Sequence, residues 1–379
     1  MKLPILTTAL TAAAATAEKT CTTTNIPVPI TTRNGVFDKL PTPQSNFDAA
    51  TFTLGALRQG ANGTEEALTG YSTIQKTYHI SVQYCKPAGP DSGSSPVVQI
   101  LTHGIGFDKT YWDFPFDNYN YSYVDNAVAH GYHTLAYDRL GLGLSSHGDP
   151  KDEIQAFIEV AALAQLTEMV RKGSIPSQGE QKPEKVVHVG HSFGSGLSYA
   201  LSATFPELSD GIILTGFALN SSFQGYFLAG GNFQQAHLST MKCRETYAPG
   251  YLVPSDISAN QVLFFAPPYF DPKMLEFAEE NKQPVAVGEL LTMNSSPTQS
   301  AFAGPVLIIT GDQDIPFCGG DCSNTGGVAK SIPEMARKAF PKANKFEAYV
   351  QPNTGHGLNM HYNATAAYDY IAAFLKGSL

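Results

Sequence analysis

Hydrophobic and polar positions fall into three rhythms along the chain. Residues 18–64 are rich in Thr, Pro and Asn and show little periodicity. They read as an extended arm with a short strand over 51–57. Residues 71–84 alternate apolar and polar, which predicts one long strand or an antiparallel pair. A Gly/Pro/Ser turn follows over 87–96. From residue 97 short apolar runs alternate with helical segments. Strands are predicted over 97–101, 132–137, 186–189 and 212–215. Helices are predicted over 123–130, 151–171 and 197–205. In the second helix Ile158, Ala161, Ala162, Leu166, Met169 and Val170 share one face. The rhythm breaks over 217–298, an irregular stretch dense in Phe and Tyr. It resumes with strands over 305–310 and 345–350 and helices over 332–340 and 365–375. Alternating strand and helix predicts a mostly parallel α/β sheet, and an insertion between two of its strands reads as a cap over the strand ends.

Composition narrows the class. The 379 residues suffice for one large core plus an insertion, with 42% hydrophobic and 15% charged residues. A net charge of −9 argues against nucleic acid or an anionic membrane surface as a partner. The start of the chain resembles a secretory signal over 1–17: Lys2, an apolar Ala-rich run over 3–15, and the small-x-small site Ala15-Thr16-Ala17. That run is shorter than the ~20 residues of a membrane span, so no stable membrane insertion is expected. A secreted protein should pair most of its five cysteines. Cys318 and Cys322 can close a small loop, and Cys21 can then tie the mature N-terminus to Cys85, leaving Cys243 free. The sequence does not decide the connectivity. No second Cys or His pair accompanies the C-x3-C spacing, which disfavours a metal site. Five sequons, at Asn62, Asn120, Asn220, Asn294 and Asn363, fit N-glycosylation in the same compartment.

The run Gly190-His191-Ser192-Phe193-Gly194 lies between the strand over 186–189 and the next helix. A serine between two glycines at a strand-to-helix junction is the pattern of a nucleophile elbow: the turn is tight enough to exclude a Cβ, and the serine is raised above the sheet edge. A serine hydroxyl needs a base, and the base an orienting acid. Gly311-Asp312-Gln313-Asp314 follows the strand over 305–310, and Gly355-His356-Gly357 follows the strand over 345–350. In a parallel sheet these strand ends share the edge where ligands bind. The order Ser, Asp, His is the one this architecture uses.

With His103-Gly104-Ile105-Gly106 and the run Asp138 to Ser145 after earlier strands, these motifs make the chain resemble the α/β-hydrolase superfamily. Within it, the chain is similar to secreted, capped esterase-type hydrolases of filamentous fungi. The resemblance implies an α/β-hydrolase core over 71–216 and 299–379, a cap over 217–298, and an N-terminal arm over 18–70 with no counterpart. By the family's G-x-x-D pattern the acid is Asp314, with Asp312 a loop carboxylate that accepts amides. The base is His356, with His361 the runner-up. The amides of Phe193 and Ile105 are the expected oxyanion donors. Asp138 holds its own turn, His103 fixes its loop, His191 supports the nucleophile from behind, and His188 is a core residue. A serine nucleophile disfavours the carboxylate-nucleophile branches, the epoxide hydrolases and haloalkane dehalogenases.

The expected function is hydrolysis of a carboxylic ester of an apolar or aromatic small molecule, without metal or organic cofactor. Alternatives are an acyltransferase or thioesterase of secondary metabolism, a capped aminopeptidase, or a non-catalytic binding glycoprotein on the same scaffold. Oligomeric state is not readable from the sequence.

Overall fold

Two long strands, β1 (Lys19–Val36) and β2 (Gly70–Pro87), pair antiparallel along their whole length in the computed structural model, with Cys21 opposite Cys85. The structure describes residues 18–60, 63–89, 95–179 and 181–379. The signal-like segment 1–17, the sequon at Asn62 and part of the turn over 87–96 lie outside the described residues. The next four strands are β3 (Val97–Thr102), β4 (His133–Tyr137), β5 (Lys185–His191) and β6 (Gly211–Thr215). Three short strands follow within the insertion: β7 (Gln234–Gln235), β8 (Tyr251–Val253) and β9 (Val285–Ala286). The strands β10 (Pro305–Gly311) and β11 (Lys345–Gln351) complete the main sheet. Its order is β1-β2-β4-β3-β5-β6-β10-β11. β2 meets β4 antiparallel, and every pairing from β4 to β11 is parallel. This is the α/β-hydrolase fold.

Alternation along the central strands divides the core between the two faces. Leu101, Val187, Val189, Ile213, Leu307 and Ile309 pack on one side. Tyr368, Ile371 and Leu375 of the last helix, Ala364–Lys376, join them there. Val98, Ile100 and Val186 point to the other side, toward Ile158, Ala162, Leu166 and Val170 of the helix Ala156–Lys172. That helix begins later than its apolar pattern suggested, because residues 151–155 form turns. Its end is set by Gly173 at φ 70°, a left-handed C-cap.

Two expectations for the N-terminal region need correction. Residues 19–36 form an edge strand of the main sheet, with Ile26, Val28 and Ile30 buried at every second position. Pro27 and Pro29 fit there because an edge strand can spare N–H groups. Residues 51–57 are helical: the helix runs Asn46–Leu57, started by a Ser45/Asp48 capping box.

The insertion is built of ordered elements. It holds the helices Gln224–Gly231, Ile257–Phe264, Pro272–Glu280 and Val287–Thr292 and an antiparallel sheet of order β7-β8-β9. It is seated on the core through backbone: Gly288 N–H donates to Pro150 O at 2.7 Å and Gln283 N–H to Gly106 O at 3.0 Å. Among the described residues no helix is long and apolar enough to cross a membrane.

Candidate active site

Ser192 sits between β5 and the helix Phe193–Thr204 with φ 55° and ψ −118°. A non-glycine residue at such a φ is strained and persists only where its surroundings enforce it. Here the enforcement is close backbone packing. A Cβ on Gly190 would lie 2.5 Å from the Gly194 carbonyl oxygen, and one on Gly194 would collide with the Thr102 and His103 carbonyls. Ser195 Oγ and Ser192 N–H both donate to Thr215 O, which fastens the turn to the end of β6.

The turns after β10 and β11 bring the other two residues to the serine. His356 Nε2 lies 2.8 Å from Ser192 Oγ, and His356 Nδ1 lies 2.8 Å from Asp314 Oδ2. All three are buried. Asp314 is held on both oxygens: Oδ2 also accepts from Thr310 Oγ1 at 2.5 Å, and Oδ1 accepts the Phe317 amide at 2.9 Å. With Nδ1–H directed at the carboxylate, Nε2 is left free to accept the serine proton. Phe264 of the insertion stacks near-parallel on the His356 ring at 6.0 Å, and Phe317 packs against it at 5.7 Å.

Asp312 does not enter this relay; its Oδ1 accepts the Thr354 amide at 3.0 Å, as expected of a loop carboxylate. His361 is turned away too. Its Nε2 accepts the Ala266 and Gly355 amides, each at 3.0 Å, and its Nδ1–H donates to Gly357 O. Burial lowers its pKa to about 4, so it stays neutral and ties the histidine loop to the insertion.

Phe193 and Ile105, whose amides are the expected oxyanion donors, line the same cavity as Ser192. Among the described residues neither donates to a protein acceptor. The peptide between Gly104 and Ile105 is oriented from its other side: Gly104 O accepts His103 Nδ1–H at 2.9 Å, and His103 Nε2 accepts the Arg139 amide at 3.1 Å. In a trans peptide the N–H points opposite the C=O, so the Ile105 donor faces away from His103. Glycine is required at 104, where a Cβ would come within 2.9 Å of Ser192 Cβ. Burial, with the Arg139 charge, holds His103 well below its usual pKa.

The remaining candidates have local roles. Asp138 accepts the Lys109 and Leu144 amides, each at 3.0 Å, and pairs with Lys109 Nζ at 2.7 Å. His188 lies 2.8 Å from Thr167 Oγ1 and 2.5 Å from Ser209 Oγ, with its pKa lowered by burial to about 3. His191 stacks on Tyr111 at 4.3 Å, beside His356, and burial keeps it neutral. Tyr111 and Phe264 escaped the sequence reading because nothing local marks a residue that touches the site from a distant element; Thr310, four residues before Asp314, was read only as the end of its strand.

Disulfides join Cys21 to Cys85 and Cys318 to Cys322, and Cys243 is free and exposed. Cys21, Cys85 and Asp113 form a close cluster of metal-donor types, but the bond between the two sulfurs removes them as ligands. Asn120 and Asn294 are exposed, whereas Asn220 and Asn363 are half-buried. Asn363 is engaged on both sides, donating to Pro352 O and accepting from Thr354 Oγ1.

The cavity at Ser192 has a volume of ≈ 1470 Å³. Phe217, Phe227 and Leu228 line it from the insertion, Phe52 from the N-terminal helix, and Tyr199 from the helix after Ser192.

Comparison with known proteins agrees with this architecture. An enol-lactonase from Burkholderia xenovorans LB400 superposes with a TM-score of 0.52 at 15% identity, over 79% of this chain and 96% of that one. The epoxide hydrolase VrEH1 from Vigna radiata gives 0.51 at 14% identity, over 79% and 94%. A thermophilic esterase from Thermogutta terrifontis gives 0.50 at 16% identity, over 79% and 94%. At such identities the likeness is one of fold. No curated protein matches the sequence significantly. Residues 99–368 match the sequence profile of the alpha/beta hydrolase family, and the chain belongs to that family.

Proposed function

We propose that the protein is a serine hydrolase that cleaves carboxylic esters of apolar or aromatic small molecules through an acyl-enzyme. One observation carries this reading: the buried relay from Ser192 Oγ through His356 to Asp314, with 2.8 Å at both steps. His356 Nε2 takes the Ser192 proton as Oγ bonds to the ester carbonyl carbon. The carbonyl oxygen becomes an oxyanion, met by the Phe193 and Ile105 amides. Collapse breaks the bond to the alcohol, which leaves with the proton from His356. Water then attacks the acyl-enzyme, giving a proton to His356, and the acid departs as Ser192 regains it. Asp314 holds the His356 ring in place and stabilises the imidazolium.

The cavity supports the substrate class. Its ≈ 1470 Å³ exceeds the roughly 300–1,000 Å³ of an ordinary small-ligand pocket, and its aromatic walls favour apolar groups. The insertion acts as a cap, since Phe264 covers the base. A panel of esters graded by acyl length and aromaticity, run with Ser192→Ala as control, tests the reading. Turnover should rise with apolar size and vanish in the variant; turnover that survives the substitution contradicts it.

We further propose that the protein is secreted and N-glycosylated. The support is the signal-like start, the sequons and two disulfides, which persist in oxidising compartments. A mature N-terminus beginning near residue 18, with mass lost on enzymatic deglycosylation, is expected; an intact Met1 and an unshifted mass would contradict it.

A further inference from the structure

Behind the two expected oxyanion donors lies a buried cluster of charge that the proposed chemistry does not use. Arg139, Glu159 and Glu289 are fully or almost fully buried, at 0%, 2% and 0% exposure. They come from three places in the chain: the turn after β4, the core helix Ala156–Lys172, and the insertion helix Val287–Thr292. Arg139 Nη1 contacts Glu159 Oε2 at 2.6 Å and also Glu289 Oε1. The other oxygen of Glu289 accepts the Ala286 amide at 2.6 Å, at the junction of β9 and its helix.

The same guanidinium faces the site. It lies 4.8 Å from the centre of the Phe193 ring, within the range of a cation–π contact. Its Nη2 reaches Gly104 O at 3.5 Å, and the Arg139 backbone N–H holds His103, which donates to that same carbonyl. Arg139 therefore touches both residues whose backbone forms the oxyanion pocket: the side chain of Phe193, and the carbonyl on the far side of the Ile105 N–H.

We infer that Arg139 is a positioning residue for the oxyanion pocket, clamped between the core by Glu159 and the insertion by Glu289, so that seating of the insertion and alignment of the two amides are one event. The inference rests on the reading of Ser192 as the nucleophile. Its physical basis is the cost of an unpaired buried charge. With the insertion displaced, Glu289 leaves, and Arg139 loses one of the two contacts that fix its plane. The Phe193 ring and the Gly104 carbonyl then lose their common support. Burial, reinforced by the adjacent Glu289 carboxylate and opposed by Arg139, holds the Glu159 carboxyl well above its usual range.

Glu289→Gln tests this, because it keeps the shape and an acceptor for Ala286 while removing the charge. Arg139→Lys is the second variant, keeping charge but losing the planar fork. Two readouts separate positioning from general stability. The first is the split between kcat and KM on an apolar ester, with the affinity of a boronic acid that mimics the tetrahedral intermediate. Loosened donors should lower kcat roughly 10- to 100-fold, leave KM within about twofold and weaken the boronic acid in proportion to kcat. The second is amide hydrogen exchange of the peptides spanning 103–107 and 192–197, which needs no activity and should accelerate in either variant. Wild-type protein that neither turns over nor binds the boronic acid, yet shows accelerated exchange in the variants, overturns the Ser192 reading and keeps the clamp. Folded variants with unchanged exchange in both peptides overturn the clamp, whatever the activity. Should Arg139→Lys fail to fold, Glu289→Gln alone decides.

Discussion

The Asp314 carboxylate reaches His356 Nδ1 at 2.8 Å through Oδ2, while its Oδ1 is occupied by the Phe317 amide. The acid is thus held by its own loop as well as by the histidine, and Asp312, two residues earlier, is committed to Thr354. Asp314→Asn should keep this packing but present the wrong hydrogen-bond pattern to the ring. A kcat loss of roughly 10⁴-fold is expected, by analogy with the same substitution in other triads. Asp312→Asn should stay within about tenfold of wild type. Steady-state kinetics on one ester decides, and the reverse ranking would move the acid to Asp312.

Gly104 offers a steric test of the oxyanion loop. A Cβ there would press on Ser192 Cβ at 2.9 Å and the His191 carbonyl at 3.0 Å. Gly104→Ala should therefore displace the Ile105 amide and cost roughly 10²- to 10³-fold in kcat, the scale of losing one donor. The variant should remain folded by circular dichroism. Near-normal kcat would show that this loop does not supply the donor.

Acid should destabilise the fold more than an exposed surface would suggest. His188 and His361 have pKa values lowered by burial to about 3 and about 4, and His103 and His191 are lowered well below the usual value. Between those values and the unfolded pKa near 6.5 the unfolded chain binds more protons. The stabilisation is thus present above pH ~6.5 and lost as pH falls, at up to roughly 1.4 kcal/mol per pH unit for each histidine. Glu159 and Asp108 act oppositely: burial raises both carboxyls, which contributes stability at low pH that is lost as pH rises through their folded values. Four groups outweigh two, so denaturant midpoints at pH 5 should lie clearly below those at pH 7. Equal or higher midpoints at pH 5 would contradict the burial of these rings as neutral species.

Cys21 and Cys85 face each other across β1 and β2, at a sequence separation of 64. Closing a loop of that length lowers unfolded-chain entropy by about 4 kcal/mol in the simplest treatment. Cys85→Ser should lower the thermal midpoint substantially while kcat at 25 °C changes little, since the bond is remote from Ser192. An unchanged midpoint would mean that pairing in β1 and β2 alone holds the N-terminal strand.

The central strands were legible because they are buried on both faces and read as apolar runs, as in Val186 to Val189. The candidate triad was legible because its members follow strand ends within three residues of Gly190, Gly311 and Gly355. The first strand was less so. Its alternation at Ile26, Val28 and Ile30 is interrupted by Pro27 and Pro29, which only an edge position permits. The helix Asn46–Leu57 was missed because Thr51, Phe52 and Thr53 favour strand, although Ser45 and Asp48 carried a capping-box signal. The Arg139 cluster could not be read at all, since its partners lie 20 and 150 residues away and become neighbours only once the insertion is seated.

The central claim is that Ser192 is a nucleophile activated by His356 and Asp314. Intact-protein mass spectrometry after brief exposure to a fluorophosphonate tests it most directly. The wild type should gain one adduct, mapped to Ser192. Ser192→Ala should gain none, and His356→Ala should react far more slowly. An unlabelled wild type, or equal labelling of Ser192→Ala, would contradict the account.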